Sequence, residues 1–187
     1  LYTEDKIIVH GEIEIDESSS LQANAIDLSQ ATDLIFNNGI LSTVRPLFDN
    51  AVQLNLVDDI LELRGPLGTN IGTLTLNNSQ IGTTSIDASS ISIMNNSVLS
   101  HPSTTTAEEY RLEIVADTIT VDSTSSIDVS DKGYLGGGSG GNSSQYGRTL
   151  GNTISGGSYA HSGGSYGGLG GYEYANQDYP INEVYGD

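Results

Sequence analysis

The sequence predicts an all-β chain: a right-handed parallel β-helix (solenoid) followed by a Gly/Tyr-rich loop region. Three observations carry that expectation. Apolar and polar residues alternate over short runs, Asn-, Asp- and Ser-rich breaks separate the runs, and similar runs recur along the first two thirds of the chain. Period two is the signature of strands with one buried face. No stretch keeps a helical period over three turns.

The runs follow one another from Ile7-Ile8-Val9 through Ile13-Glu14-Ile15, Leu54-Asn55-Leu56, Leu61-Glu62-Leu63, Leu74-Thr75-Leu76, Ile91-Ser92-Ile93, Leu112-Glu113-Ile114, Ile119-Thr120-Val121 and Ile127-Asp128-Val129. Turn formers sit between them, among them Asn37-Asn38-Gly39, Arg64-Gly65-Pro66, Asn77-Asn78 and Asn95-Asn96. The segment Thr106 to Arg111, shortly after Pro102, fits either one helical turn or a loop. The alternation points Ile26, Leu54, Leu56, Leu61, Leu63, Leu74, Leu76, Ile91, Ile93, Ile119, Val121, Ile127 and Val129 inward.

A weak repeat suggests how the strands stack. Ile-Asp-x-Ser occurs at Ile15, Ile26, Ile86 and Ile127. Ile35-Phe36-Asn37-Asn38 matches Ile93-Met94-Asn95-Asn96 at an offset of 58, and Ile91-Ser92-Ile93 matches Ile119-Thr120-Val121 at 28. Since 58 is about twice 28, the expectation is one coil of 27–29 residues, a period at which solenoid turns stack on their neighbours. The coils are expected over 1–131, with a Gly/Tyr/Ser-rich loop or capping segment over 132–187.

That second segment differs in composition. Residues 133–187 hold 17 of the 23 glycines and 8 of the 10 tyrosines. Neither phenylalanine lies there and the chain has no tryptophan, so the segment has little with which to build a core. Spaced tyrosines argue for an ordered loop over a flexible linker, because Tyr buries area with few rotamers to freeze. Tyr159, Tyr166, Tyr172 and Tyr174 are the candidate binding residues, as an exposed set would form a sugar-stacking or adhesive face. The Gly-rich run is not a phosphate loop, because no Gly-Lys-Ser/Thr follows it.

Charge and composition narrow the function classes. A formal net charge of −18, from 24 acids and six bases, opposes nucleic acid and anionic lipid, which need a basic footprint. No apolar run approaches membrane-spanning length, so no membrane insertion is expected. Zero cysteine excludes disulfides, thiol catalysis and cysteine-based zinc sites. The chain starts at Leu1 without a signal peptide, and the expectation is a mature product or a slice of something longer.

The stretch Ile127-Asp128-Val129-Ser130-Asp131-Lys132-Gly133-Tyr134-Leu135-Gly136-Gly137-Gly138, continued by Gly163 to Gly171 and Tyr185-Gly186-Asp187, resembles the glycine-rich segments of very large secreted bacterial β-helix proteins, adhesin-like or of the filamentous-haemagglutinin type. It is also similar to plant cell-surface glycine-rich proteins, from which it departs by lacking every cysteine. The match covers about residues 114–187. It implies an extracellular or cell-surface location and a scaffolding or adhesive role.

Chemistry has sparse material here. Asp122, Asp128 and Asp131 lie within ten residues, with Ser123, Thr124 and Ser130 beside them, and this supply of hard oxygen donors would take Ca2+. Asp58-Asp59 with Glu62, and Asp16-Glu17, are thinner versions. None matches an EF-hand or a calcium β-roll nonapeptide. His10, His101 and His161 are scattered and read as surface histidines. Lys132 beside Asp128 and Asp131 is the only grouping of the kind a polysaccharide lyase would use.

Three function hypotheses follow. The first, which the repeat, charge and resemblance favour, is a non-enzymatic structural or adhesive segment of an extracellular β-solenoid surface protein. It would associate with itself or with the remainder of a larger surface protein, and calcium would stabilise it. The second is a carbohydrate-binding or polysaccharide-degrading β-helix enzyme. The third is an ice- or surface-binding solenoid, hinted at by Thr73-Leu74-Thr75 and Thr118-Ile119-Thr120. It needs Thr pairs stacked at the coil period, and their offset of 45 is not a multiple of 28.

Overall fold

A computed structural model describes residues 6–16, 19–138 and 140–159. Two compact units divide the chain. The first is Leu1–Pro102 with Arg111–Ser130, and the second is Ser103–Tyr110 with Asp131–Asp187.

The first unit is a parallel β-solenoid. Its strands are β1 (Lys6–Asp16), β2 (Ser20–Ala23), β3 (Ala25–Thr43), β4 (Phe48–Asp49), β5 (Gln53–Val57), β6 (Ile60–Arg64), β7 (Pro66–Asn77), β8 (Gln80–Gly82), β9 (Ser85–Met94), β10 (Val98–Ser100), β11 (Glu113–Val121) and β12 (Ser126–Ile127). They form a seven-stranded sheet A, in the order β1-β3-β6-β8-β10-β12 with β2 also on β3. A five-stranded sheet B has the order β11-β9-β7-β4 with β5 also on β7. Every strand pairing is parallel. The chain therefore winds from sheet to sheet and returns one rung further on.

Asparagine and aspartate make the corners. Asn38, Asp58, Asn78, Asn95 and Asn96 all have positive φ, between 51° and 63°. Their short polar side chains tolerate this left-handed backbone better than bulky residues do. Successive corners are also tied together: Asn78 Nδ2 donates to Asp58 Oδ1 (2.6 Å), and Asn95 Nδ2 donates to Asn77 Oδ1 (2.8 Å). A buried serine ladder runs beside them. The Asp59, Ser79 and Ser97 amides each donate, at 3.1 Å, to the hydroxyl of Ser79, Ser97 and Ser125 in turn. Backbone groups that the tight corner would strand in the interior thus find partners.

Leucine and isoleucine columns fill the interior. Leu61, Ile81, Leu99 and Ile127 are in register along sheet A. Leu54, Leu74, Ile91 and Ile119 are in register along sheet B, as are Leu56, Leu76, Ile93 and Val121. At Gly65 the carbonyl of Thr43 occupies the space that a Cβ would need, so only glycine fits this corner.

The coil length differs from the expected 27–29 residues. Along sheet B, Leu54 to Leu74 is 20 residues, Leu74 to Ile91 is 17 and Ile91 to Ile119 is 28. The offset of 58 spans three coils, because the left-handed corners fall at 38, 58, 78 and 96. The offset of 28 belongs to a single long coil whose chain makes an excursion between β10 and β11. That excursion includes Ser103–Tyr110, which belongs to the second unit. It forms a loop with no helical turn, closed by Thr105, whose hydroxyl accepts from the Ala107 and Glu108 amides. The Ile-Asp-x-Ser copies do not mark equivalent positions either: Ile86 is in sheet B, and the other three isoleucines are in sheet A.

The second unit, over its described residues, is a set of turns with the isolated bridges Tyr146–Tyr159 and Thr149–Thr153. Gly138, Gly140, Gly141, Gly151 and Gly156 supply positive φ. Buried Asn142 staples two loops, donating through Nδ2 to the Gly136 and Tyr146 carbonyls at 3.1 and 2.9 Å.

Candidate functional site

The acids expected to hold calcium are engaged in turn geometry. Asp122 closes the corner of the last coil. Its Oδ2 accepts from the Asn95 amide (2.7 Å), and its Oδ1 accepts from the Thr124 amide and hydroxyl (both 2.9 Å). The Asn95 amide first, then the Ser125 hydroxyl, hold this carboxyl well below the usual carboxylate range. Asp128, in the same unit, accepts from the Ser130 amide at 2.9 Å. Asp131 belongs to the second unit, is exposed, and has positive φ. Among the described residues, no group of three or more His, Cys, Asp or Glu is placed to hold a metal. Asp58 and Asp59 are also corner ties, Asp58 to Asn78 and Asp59 to the Val57 amide. Burial pushes the half-buried Asp59 carboxyl up, against the pull of the Val57 and Phe36 amides.

Among the four candidate binding tyrosines, Tyr166, Tyr172 and Tyr174 lie outside the described residues. Tyr159 is half-buried and donates to Gln145 Oε1 (2.8 Å). Its ring meets Tyr146 edge to face, with centroids 5.3 Å apart. Tyr134 donates to Glu109 Oε1 at 2.6 Å.

The histidine expectation needs a correction. His10 is exposed, but His101 is buried, and its Nδ1 donates to the Pro102 carbonyl at 2.8 Å. It follows directly on β10, where the Ser100 hydroxyl donates to the Asp128 carbonyl of the next coil. His161 lies outside the described residues.

A cleft of about 460 Å³ opens near the start of the first unit, lined by Leu28, Leu47 and Phe48 together with Lys6, Asp27, Arg45 and Asp49. Lys6 Nζ and Asp27 Oδ2 form an ion pair across it at 2.6 Å. Charged groups over an apolar lining suit a small polar ligand.

The other end of this unit departs most from the alternation pattern. Ile119, Val121, Ile127 and Val129, all expected inward, are 44%, 40%, 41% and 46% exposed. The reason is positional. Among the described residues β11 pairs only with β9, and β12 only with β10, so both are the outermost described rungs of their sheets. Side chains there project from a rung that no further described strand covers.

The outer side of sheet B holds an arrangement of which the sequence marks only the two Thr pairs. Gln53 and Asn55, Thr73 and Thr75, Ser90 and Ser92, and Thr118 and Thr120 stand opposite one another in four successive rungs. The offset of 45 between the Thr pairs is one coil of 17 plus one of 28, which removes the objection raised from the sequence. The legible signal is the polar pair flanking each of Leu54, Leu74, Ile91 and Ile119; a fixed period conceals it. Comparisons with family models, with curated proteins and with solved structures return no match, so geometry alone carries the functional reading.

Proposed function

We propose that the chain is a structural or adhesive segment of an extracellular β-solenoid surface protein, joined through its open last coil to a second copy or to the remainder of a longer chain. The observation that carries this reading is the exposed apolar set Ile119, Val121, Ile127 and Val129 on the terminal rungs. Strand edges present unpaired amides and carbonyls, and a further rung satisfies them while covering apolar area. The net charge of −18 opposes approach of two copies at low ionic strength, so added salt promotes association by screening.

Sedimentation velocity tests the reading. Association should rise with salt, and Ile127→Asp should abolish it while the folded spectrum is retained. A chain monomeric at every concentration and salt level rules out self-association through this end.

Calcium belongs to the same proposal, with Asp122, Asp128 and Asp131 as the acids involved. Ca2+ bound only to the folded state raises the melting temperature by mass action, so a chelator should lower it. An unchanged melting temperature in excess chelator assigns these acids to turn geometry alone.

The carbohydrate reading is favoured by one observation, the charged and apolar cleft at Lys6, Asp27, Arg45 and Asp49. Release of reducing or unsaturated ends from a polysaccharide, lost in Arg45→Ala, would replace the structural reading with an enzymatic one.

A further inference from the structure

Beyond the open coil end, we propose that the outer side of sheet B is an ice-binding face, which orders water through its rows of hydroxyl and amide side chains. In the three rungs from β7 to β11 the polar pair is Thr73/Thr75, Ser90/Ser92 and Thr118/Thr120, all hydroxyls, with Gln53/Asn55 ahead of them on β5. Rungs of a sheet stand about 4.8 Å apart, and residues i and i+2 of one strand about 6.6 Å. The face is therefore a regular two-dimensional grid, with a rung spacing close to the shorter oxygen repeat of hexagonal ice and hydrogen-bonding groups at both repeats.

The grid is held rigidly. Leu74 and Ile91, between the middle two pairs, are fully buried in the core, which holds these strands to the register of the sheet. Its hydroxyls are also available. The buried Thr43, Ser79, Thr83, Ser97 and Ser100 hydroxyls are all bonded to protein groups. None of the six hydroxyls on the face bonds to a described residue, and all six are half-buried or exposed. A hydroxyl donates one hydrogen bond and accepts two, so each can take a place in a water lattice in either sense.

The chemistry of these eight positions favours water over other occupants. In a chain of −18, its eight positions carry no ionisable group, so a mineral or a charged polymer finds nothing to neutralise it. They include no aromatic ring, the platform on which a sugar would stack, and no apolar anchor for a protein partner. Regularly placed water is the ligand that needs only spacing and hydrogen-bonding capacity.

The test is ice affinity. Fluorescently labelled chain is frozen slowly from dilute solution onto a seeded ice surface, and crystals grown in its presence are imaged. The expected result is enrichment in the ice over the liquid and faceted crystal growth. Thr75→Tyr together with Ser92→Tyr should reduce enrichment to that of a bystander protein, with circular dichroism unchanged. Glu62→Tyr, on the outer side of sheet A, should leave it intact. Ser90→Thr with Ser92→Thr, a change that completes three identical Thr pairs, should raise it, so the proposal stays testable if the tyrosine variant does not fold. Exclusion of the parent chain from ice overturns the proposal, as does enrichment indifferent to these face substitutions. Retention on crystalline cellulose or chitin without ice enrichment overturns it in favour of a polysaccharide surface. Salt-dependent self-association is measured separately, so failure of either reading leaves the other standing.

Discussion

Ile91 and Ile119 occupy opposed positions on adjacent rungs of sheet B, with the same polar-apolar-polar context, yet Ile91 is fully buried and Ile119 is 44% exposed. The middle coils and the last coil of the solenoid thus share a sequence pattern and differ in environment. Alternation says which side of the strand a residue is on; a rung on each side decides whether that residue is dry. Stability should follow the second quantity.

The largest test of that contrast is a pair of alanine substitutions. Ile91→Ala should cost about 2–5 kcal/mol, through lost transfer energy and a residual cavity. Ile119→Ala should cost about 1–2 kcal/mol, since only part of its surface leaves water and no closed cavity results. Urea unfolding of dilute protein, compared by midpoint at constant slope, measures both. Equal costs would show that Ile119 is covered in solution.

Glycine sharpens the comparison next. Gly65→Ala forces a Cβ into the Thr43 carbonyl and should cost about 1–3 kcal/mol, as overpacking does. At Gly133 no described atom lies within 4 Å of where a Cβ would sit, and φ is not positive, so Gly133→Ala should fall within about 0.5 kcal/mol of the parent. Serine separates inside from outside in the same way. Ser97→Ala removes the acceptor of the Ser79 amide in the buried ladder and should cost about 1–3 kcal/mol. Ser92→Ala, on the outer side, should stay within about 0.5 kcal/mol.

The smallest effects are those of pH. The depressed Asp122 carboxyl contributes stability above its ordinary value of 3.8, and this is lost as pH falls through the folded-state value. Asp122→Asn should therefore lower the melting temperature at neutral pH and flatten its acid limb. Asp59 has the opposite sign. Burial raises its folded-state value, so its contribution is present below 3.8 and is lost as pH rises through the raised one. Asp59→Asn should raise the melting temperature at neutral pH, with the gain vanishing in acid.

Strand content and the inward side of each run were legible in the sequence, because alternation is a property of one strand's own backbone. The Asn-rich corners were legible too, since tolerance of positive φ belongs to the residue. Coil length was not. Coils of 20, 17 and 28 residues stack in register because bulges in β7 and the excursion between β10 and β11 absorb the surplus. Only the paired rungs reveal which residues were absorbed. The candidate sites divide along the same line. The acids near Asp122 were visible as composition, but their bonding to corner amides came from the fold. A fixed period conceals the grid from Thr73 to Thr120, and register across the rungs brings it together. A single strand determines which way a side chain points; its neighbours across the rungs determine what it stands beside and whether water reaches it.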